Sequence, residues 1–384
     1  MQAAVLVLAL LDVNGFLALR GVNATGPNPW LDGGWGRLEA GGDRDDLFAT
    51  AYLGADWTSE HFGLHVSGAA RSDASGEQAG LIEGYAEARA SFGLDELQLR
   101  AGQFFLPTSR ENRDPLWASP YTINFSALNS WIGEEVRPHG VDLQYRHITA
   151  RGHALTTAAT AFRGNDSMGA LLAWRGWAIG NRLSAYDEVL PLPPLPSLDT
   201  FFRFQRDGTK PFGTDLDGKT GYSARLRYSL PQRAGIQYLY LDNQGDRALY
   251  RGEYAWATKF HLLSADAGDP DRLSVAAEYM KGKTGMGHGE AFVDAGFYAT
   301  YFLASWKRGR NRWSGRYELF NTEERDFSIA ESNEENGRAW TFTWMFDLLA
   351  RVRLTAEFTQ VTGDRPGAPD PDGRSVTVEA RYGF

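Results

Sequence analysis

The last ten residues, Ser375 to Phe384, alternate without a break. Val376, Val378, Ala380, Tyr382 and Phe384 fall on one face of an extended chain, and Ser375, Thr377, Glu379, Arg381 and Gly383 fall on the other. Strand side chains change face at every residue, so a strand that is greasy on one side and charged on the other suits a wall between hydrocarbon and water. Such a wall has to close on itself, because an open sheet edge in lipid would leave backbone N–H and C=O groups without partners.

Composition fits one large β-structure with many tight turns: 384 residues with 43 Gly, 22 Phe, 16 Tyr and 12 Trp. A mean hydropathy of −0.39 does not argue against insertion, since only alternate residues of a barrel strand meet lipid. The chain has no cysteine, which excludes a disulfide scaffold, thiolate metal sites and a Cys nucleophile. Ala3 to Leu11 is an apolar run of signal-peptide length, without a preceding Lys or Arg and without a small-x-small cleavage site after it. Residues 1–14 are read as a truncated export signal and 15–384 as one barrel domain; the alternative for the run is a buried first strand. Asp12 and Asn14 interrupt it too early for a spanning helix, which needs ~20 apolar residues.

Period-two patterning predicts strands over residues 15–22, 47–57, 61–71, 80–92, 95–105, 140–149, 152–162, 219–229, 234–241, 252–262, 271–281, 294–306, 311–320, 338–346, 350–360 and 374–384. The number is even, as expected when both termini lie on one side of a membrane. The even-numbered connections are tight: Thr58 to Glu60, Gly93–Leu94, Ala150–Arg151, Leu230 to Arg233, Lys307 to Arg310 and around Asp347. The long polar ones are all odd-numbered: 23–46, 106–139, 163–218, 282–293, 321–337 and 361–373. Those at 72–79, 242–251 and 263–270 are of middling length. A soluble sandwich has no reason to sort loop length by parity. The expected fold class is therefore all-β: a transmembrane antiparallel β-barrel of about 16 strands with in-folded or capping outer loops.

Outward faces read as lipid-compatible, for instance Tyr222, Ala224, Leu226 and Tyr228; Tyr254, Trp256, Thr258, Phe260 and Leu262; Trp340, Phe342, Trp344 and Phe346; and Val352, Leu354, Ala356 and Phe358. Aromatics gather near strand ends, where their rings suit the headgroup level. The same phases turn many ionised groups inward. The arginines are Arg20, Arg89, Arg100, Arg146, Arg225, Arg227, Arg316, Arg351, Arg353 and Arg381, with Lys259; the carboxylates are Glu83, Glu87, Asp142, Glu253, Glu278, Glu318, Glu357 and Glu379. Unpaired charge in a dry core is prohibitive, so this interior implies a hydrated lumen or a dense ion-pair network. The net charge of −9 sits largely in outer loops, including Glu323, Glu324, Asp326, Glu331, Glu334 and Glu335. Such acids are ordinarily solvated, and the alternative is bridging by divalent cations to anionic lipid.

The connection 106–139 is long and aromatic for an exposed loop, and loops of more than ~15 residues usually have a task. It opens on Gly102-Gln-Phe-Phe-Leu-Pro107-Thr-Ser-Arg110-Glu111-Asn-Arg113-Asp114 and closes on Gly133-Glu134-Glu135-Val-Arg137-Pro138-His139-Gly140. This segment, with the terminal Phe, resembles bacterial outer-membrane porins related to the phosphate-selective porin O/P family. The resemblance implies that the loop folds into the barrel and narrows it, with Arg110, Glu111, Arg113, Asp114, Glu134, Glu135 and Arg137 as pore-constriction residues. Arg100, Arg146, Arg225, Arg227, Arg316, Arg351, Arg353 and Arg381 would then line the lumen wall. It also implies a homotrimer. A lid packed on the rim is the alternative for this loop. Residues 163–218, with Trp174, Trp177 and Pro191 to Pro196, can likewise fold over or into the pore.

Gly213-Thr-Asp-Leu-Asp-Gly218-Lys219-Thr220 matches the phosphate-binding P-loop letter for letter. Its context is wrong, because that loop opens a helix, whereas here a strand follows and Asp215 and Asp217 repel phosphate. Seven histidines fall at no zinc spacing, and His288-Gly-Glu290 lacks the paired thiolates of a deaminase. His61 and His65 share a strand face as lumen residues. No cofactor, metal or nucleic-acid partner is expected. The expected partners are the lipid bilayer with lipopolysaccharide, and small hydrophilic solutes or anions. The sequence thus points to a bacterial outer-membrane passive diffusion channel with a weak anion preference. The competing readings are a plugged receptor or adhesin and a barrel-embedded hydrolase.

Overall fold

The last strand of the chain hydrogen-bonds to the first in an unbroken antiparallel ladder, from Phe16 opposite Gly383 to Thr25 opposite Arg374. That seam closes the sheet. The computed structural model describes residues 10–73, 76–205, 208–231, 234–289, 291–326, 332, 334–367 and 369–384. In it the barrel strands are β1 (Leu10–Thr25), β2 (Arg44–Thr58), β3 (Phe62–Asp73), β4 (Gly76–Phe92), β5 (Asp95–Gln103), β6 (His139–Ile148), β7 (Ala154–Arg163), β8 (Gly221–Leu230) and β9 (Ala234–Asp242). After a two-residue hairpin, β10 (Leu249–Tyr250) and β11 (Glu253–Tyr254), come β12 (Lys259–Gly268), β13 (Leu273–His288), β14 (Ala291–Arg308), β15 (Asn311–Glu324), β16 (Glu335–Leu349), β17 (Val352–Asp364) and β18 (Gly373–Gly383). All but the hairpin join one closed barrel of 16 strands, each paired antiparallel with its neighbours. No unpaired edge remains among the described barrel strands, as hydrocarbon requires.

The strand ends show where pattern reading succeeds and where it slips. Tight turns gather at the end that carries both chain termini, and the long connections at the other. Two connections differ from expectation. Residues 282–293 are mostly strand, because β13 runs to His288 and β14 resumes at Ala291; residues 72–79 are likewise mostly strand. β1 starts at Leu10, so Leu10 to Asn14 pair with Thr58 to Gly54 instead of standing apart. Residues 3–9 of the N-terminal apolar run, Arg233, Glu290 and Glu331 lie outside the described residues.

The largest correction concerns 252–262. The strand there begins only at Lys259 and continues to Gly268, with its faces reversed: Phe260 and Leu262 are buried inside, while His261 and Leu263 face out. Trp256 is fully buried within the loop core, Glu253 sits in the small hairpin, and Lys259 points outward. The physical reason is that the inner wall of β9 and β12–β14 is itself apolar. Leu239, Leu241, Phe260, Leu262, Met280, Phe297 and Ala299 form one buried cluster with the in-folded Trp131 and Trp177. An apolar face here means contact with protein, not lipid.

Elsewhere the outward phases stand: Tyr222, Leu226, Trp340, Phe342, Trp344, Val376, Val378 and Tyr382 are all exposed. At the seam, Arg20 on β1 meets Glu379 on β18 at 2.5 Å, both buried, and Arg381 also donates to Glu379 at 2.9 Å. Removing one partner of a buried pair typically costs about 3–5 kcal/mol. Glu379→Ala is therefore expected to lower the temperature at which the folded band converts to the unfolded one in detergent electrophoresis. A seam-remote control, Lys219→Gln, is expected to leave that temperature unchanged.

Candidate pore constriction

At Gly102 the chain leaves the wall and turns into the lumen. Its φ of +134° is a glycine conformation, and a Cβ there would stand 2.3 Å from the Gly84 carbonyl oxygen. The Gly-Gln-Phe motif is thus a backbone requirement. Beyond it, residues 104–138 lie inside the barrel and carry a 3-10 turn at Pro115–Trp117 and one α-helix, α1 (Ala127–Glu135), preceded by Ser126, whose side chain accepts from the Asn129 N–H.

What holds this segment is a set of wall carboxylates accepting its backbone N–H groups. Glu83 receives Phe105 at 2.7 Å, and Glu278 receives Arg110 at 2.7 Å. Glu357 receives Ile123 and Asn124 at 2.6 and 3.0 Å, and Glu318 receives Ala127 at 2.6 Å. A loop has no ladder partners of its own, so acceptors supplied by the wall let its backbone be buried. These glutamates, expected to face a hydrated lumen or an ion-pair network, are the loop's docking points, and Glu278, Glu318 and Glu357 are buried.

The expected constriction residues divide accordingly. Glu111 is fully buried, ion-paired to Arg316 and accepting from Ser126 N at 2.9 Å. Arg316, expected on the lumen wall, is a fully buried clamp that also donates to the Asn124 and Phe125 carbonyls at 2.8 and 3.0 Å. Glu134 pairs with Arg175 at 2.8 Å. Arg137 is buried between the Phe105 and Phe212 rings, and burial draws its guanidinium down to about 10. These four side chains join loops to one another or to the wall and do not line an opening.

Glu135 connects the two long connections. It accepts from Trp131 Nε1 at 2.6 Å and from the Gly169 and Leu171 N–H groups at 3.1 Å each. The latter two open the short helix α2 (Ala170–Trp174) of the connection 164–220. That connection is also folded inward. Gly176, at φ +85°, leaves room for Glu335, whose Oε2 would lie 1.8 Å from a Cβ there. Glu335, expected as a solvated loop acid, is fully buried and holds Arg37 at 2.6 Å and Trp177 N at 3.1 Å. The outer half of the bore is thus packed, with Trp131 edge-on to Trp177, Phe260 and Phe297.

Beneath it the lumen stays polar and accessible. Arg110, Arg113 and Arg227 converge on Asp266: Arg113 at 2.8 Å, Arg227 at 3.0 Å and Arg110 at 3.9 Å. Their side chains are 29%, 20% and 10% exposed, and that of Asp266 15%, so three guanidinium groups share one carboxylate at a wet surface. Burial first, then the like charge of Arg227, pulls Arg110 down to about 10, which leaves it charged at neutral pH. Asp266 was missed in the sequence because residues 263–270 read as a connection. The inward alternation Leu262, Ser264, Asp266 is the signal that would have found it.

Most of the other expected wall residues have partners of their own. Arg100 lies over the Tyr85 ring at 4.5 Å, Arg146 faces Glu96 at 3.9 Å, and Arg225 is buried beside Asp142 and Gln144. His65 pairs with Asp56 at 2.7 Å, whereas His61 is exposed in a turn. Asp114, Arg353 and Arg381 line a cavity of about 370 Å³ at the tight-turn end. Arg351 is in the turn after β16 and not on the wall. Burial raises Asp114 above the usual carboxylate range, opposed by Arg353 and Arg381.

No protein-family model and no curated protein sequence matches the chain. Solved structures do match its fold. The outer membrane channel DcaP of Acinetobacter baumannii superposes with a TM-score of 0.61 at 11% identity, over 98% of this chain and 97% of that one. OmpT, an outer-membrane protein of Vibrio cholerae, gives 0.54 at 9% identity over 98% of both chains. OmpF of Salmonella typhi, in a complex with daunomycin, gives 0.54 at 10% over 97% of both. The fold is that of the 16-stranded outer-membrane barrels. With its belt of exposed apolar and aromatic side chains, it places the chain in a bacterial outer membrane.

Burial, eased by three N–H donors and Arg175, raises Glu135 to about 7, above the ordinary glutamate value of about 4.3. A raised folded-state value means that its contribution to loop docking is complete below about pH 4 and is lost as pH climbs through about 7. Protection of the 164–220 connection from protease is expected to fall between pH 5 and pH 8. In Glu135→Gln that difference should vanish.

Proposed function

We propose that the chain is an outer-membrane channel for the passive diffusion of small hydrophilic solutes, with residues 104–138 as its constriction. The observation that carries this is the group of three arginines around Asp266, part-exposed beneath a loop tethered to the wall. Arg113 and Asp114 lie on the wet side of that loop, and Arg110 at its edge. Fixed charge at a narrow point weights ion passage most, so an excess of guanidinium favours anions weakly. In this reading the protein is not an enzyme.

Kinship with the phosphate-selective porin O/P family belongs to this proposal and rests on the segment Gly102 to Asp114. Phosphate itself is not the solute we infer, because the accessible arginines are interleaved with Asp56, Glu96, Asp266 and Asp347. A homotrimer is part of the same reading. On the outward face of β2–β4 the row Ala51, Ala70 and Ala79, with Ala49 beside it, forms a small-residue patch bordered by exposed Leu47, Leu53 and Leu81, while that of β14–β16 carries Phe302, Trp306, Trp313, Trp340 and Trp344. The alanine patch leaves room for the side chains of another barrel, and the aromatic sector suits lipid.

The packed outer half of the bore favours a second reading, a plugged receptor. Planar-bilayer recording separates the two. The channel reading predicts reproducible conductance steps and, in asymmetric salt, opposite shifts of reversal potential: Arg113→Glu toward cations and Asp266→Asn toward anions. Unchanged reversal potentials would move the constriction elsewhere, and absence of any conductance would leave the plugged receptor.

A further inference from the structure

Six lysines stand in this arginine-rich chain, and three of them meet at one place. Lys259 on β12 and Lys283 on β13 are directly opposite in the ladder, with Lys281 one outward position along from Lys283. The inward neighbours Phe260, Met280 and Thr284 are buried, so all three lysines face the exterior of the barrel. Like charges directly opposite on a sheet repel. Asp242 on β9 stands opposite Lys259 on the same face but forms no ion pair with it: Lys210 and Lys307 have carboxylate partners at 2.6 and 3.0 Å, whereas Lys259, Lys281 and Lys283 have no ion-pair partner among the described residues.

The depth of the cluster points to its ligand. Lys259 opens β12 on the side of the long connections, and Lys283 lies opposite it, five residues before the end of β13. Immediately below them runs a belt of Tyr240, His261 and Tyr298, then Tyr238 and Tyr279, matched row by row through the registers. Such a belt marks the boundary between acyl chains and headgroups. The lysines therefore sit at headgroup level in the outer leaflet. Beside them a cleft of about 260 Å³ is lined by Lys259, Lys283, Arg247, Asp242 and Asp294. Both acids are already engaged: Asp294 faces Arg247 at 3.5 Å, and Asp242 accepts from Tyr240 Oη at 3.0 Å and from Gln244 N at 2.9 Å. What is left over is cationic.

We infer that this outward cleft binds the phosphate group of an anionic outer-leaflet lipid, with Lys259, Lys281 and Lys283 supplying the charge and the tyrosine belt carrying the acyl chains. A compact ammonium suits a phosphate whose position varies with the lipid, where a rigid guanidinium fork would demand one geometry. The inference rests on the outer-membrane placement but not on the bore being open, so a silent channel leaves it standing.

The test titrates diphosphoryl lipid A into the full-length protein in detergent micelles, with binding read by native mass spectrometry. Enzymatically dephosphorylated lipid A and inorganic phosphate serve as separate probes. The triple variant Lys259→Gln, Lys281→Gln, Lys283→Gln is compared with Lys219→Gln, Lys307→Gln, which removes two lysines elsewhere; heat-dependent migration in detergent electrophoresis confirms that both fold. We expect at least a tenfold loss of lipid A binding in the triple variant only, weak binding of the dephosphorylated lipid, and no competition by millimolar phosphate. Equal binding by the triple and control variants, or by the lipid with and without phosphate, would overturn the assignment. Displacement by inorganic phosphate would overturn the lipid as its source. A chain that is not a membrane barrel would bind no lipid in any form and show no heat-dependent migration, an outcome that rejects the placement itself.

Discussion

Four glutamates on the inner wall accept backbone N–H groups from a loop that has no other partners for them, and the rest of the interior follows from that exchange. A carboxylate facing a barrel lumen would ordinarily be solvated. Here Glu278, Glu318 and Glu357 are withdrawn from water and hold segment 104–138 against the wall at hydrogen-bond distance. Charge-assisted bonds of this kind are short and strong, and they work only if the opposing charge is balanced nearby. Arg316 does this between Glu111 and Glu318. The loop could not be buried on apolar contact alone, because its unpaired amides would each carry a desolvation penalty.

From this docking follow two different halves of one bore. Toward the long connections, loops pack on an inner wall that is apolar on β9 and β12–β14, and arginines and glutamates there are structural. Toward the tight turns the wall keeps its water, and the ionised groups stay accessible. The same residue types therefore have opposite roles according to depth. Glu335 and Arg37 hold one connection to another, while Arg113, Arg227 and Asp266 face a solvated space.

The barrel was legible in the sequence because its exterior is regular. Segments such as Ser375 to Phe384 or Ala339 to Phe346 alternate cleanly, and loop parity told which end was which. The reading failed at 252–262 for a specific reason. Phe260 and Leu262 are apolar because they meet Trp131, and a period-two pattern cannot distinguish lipid on one side from folded loop on the other. Pattern reading also set Glu278 and Arg316 correctly on the inner face without revealing that they would be dry. That depends on where a chain segment more than a hundred residues away comes to rest, which no local spacing encodes. Of the site, Arg110 and Arg113 were anticipated, and Asp266, which gathers them, was not.

The account stands on residues 104–138 lying inside the bore with one wet face. Because the chain has no cysteine of its own, single cysteines can be placed at Arg113, which is part-exposed, and at Ser130, which is buried. Each variant is then treated in a planar bilayer with a charged, membrane-impermeant thiol reagent. Rapid modification at Arg113→Cys with a stepwise drop in current, and none at Ser130→Cys, is the predicted result. Equal reactivity at both positions, or modification at 113 without any change in current, would show that the loop lies outside the path of the ions.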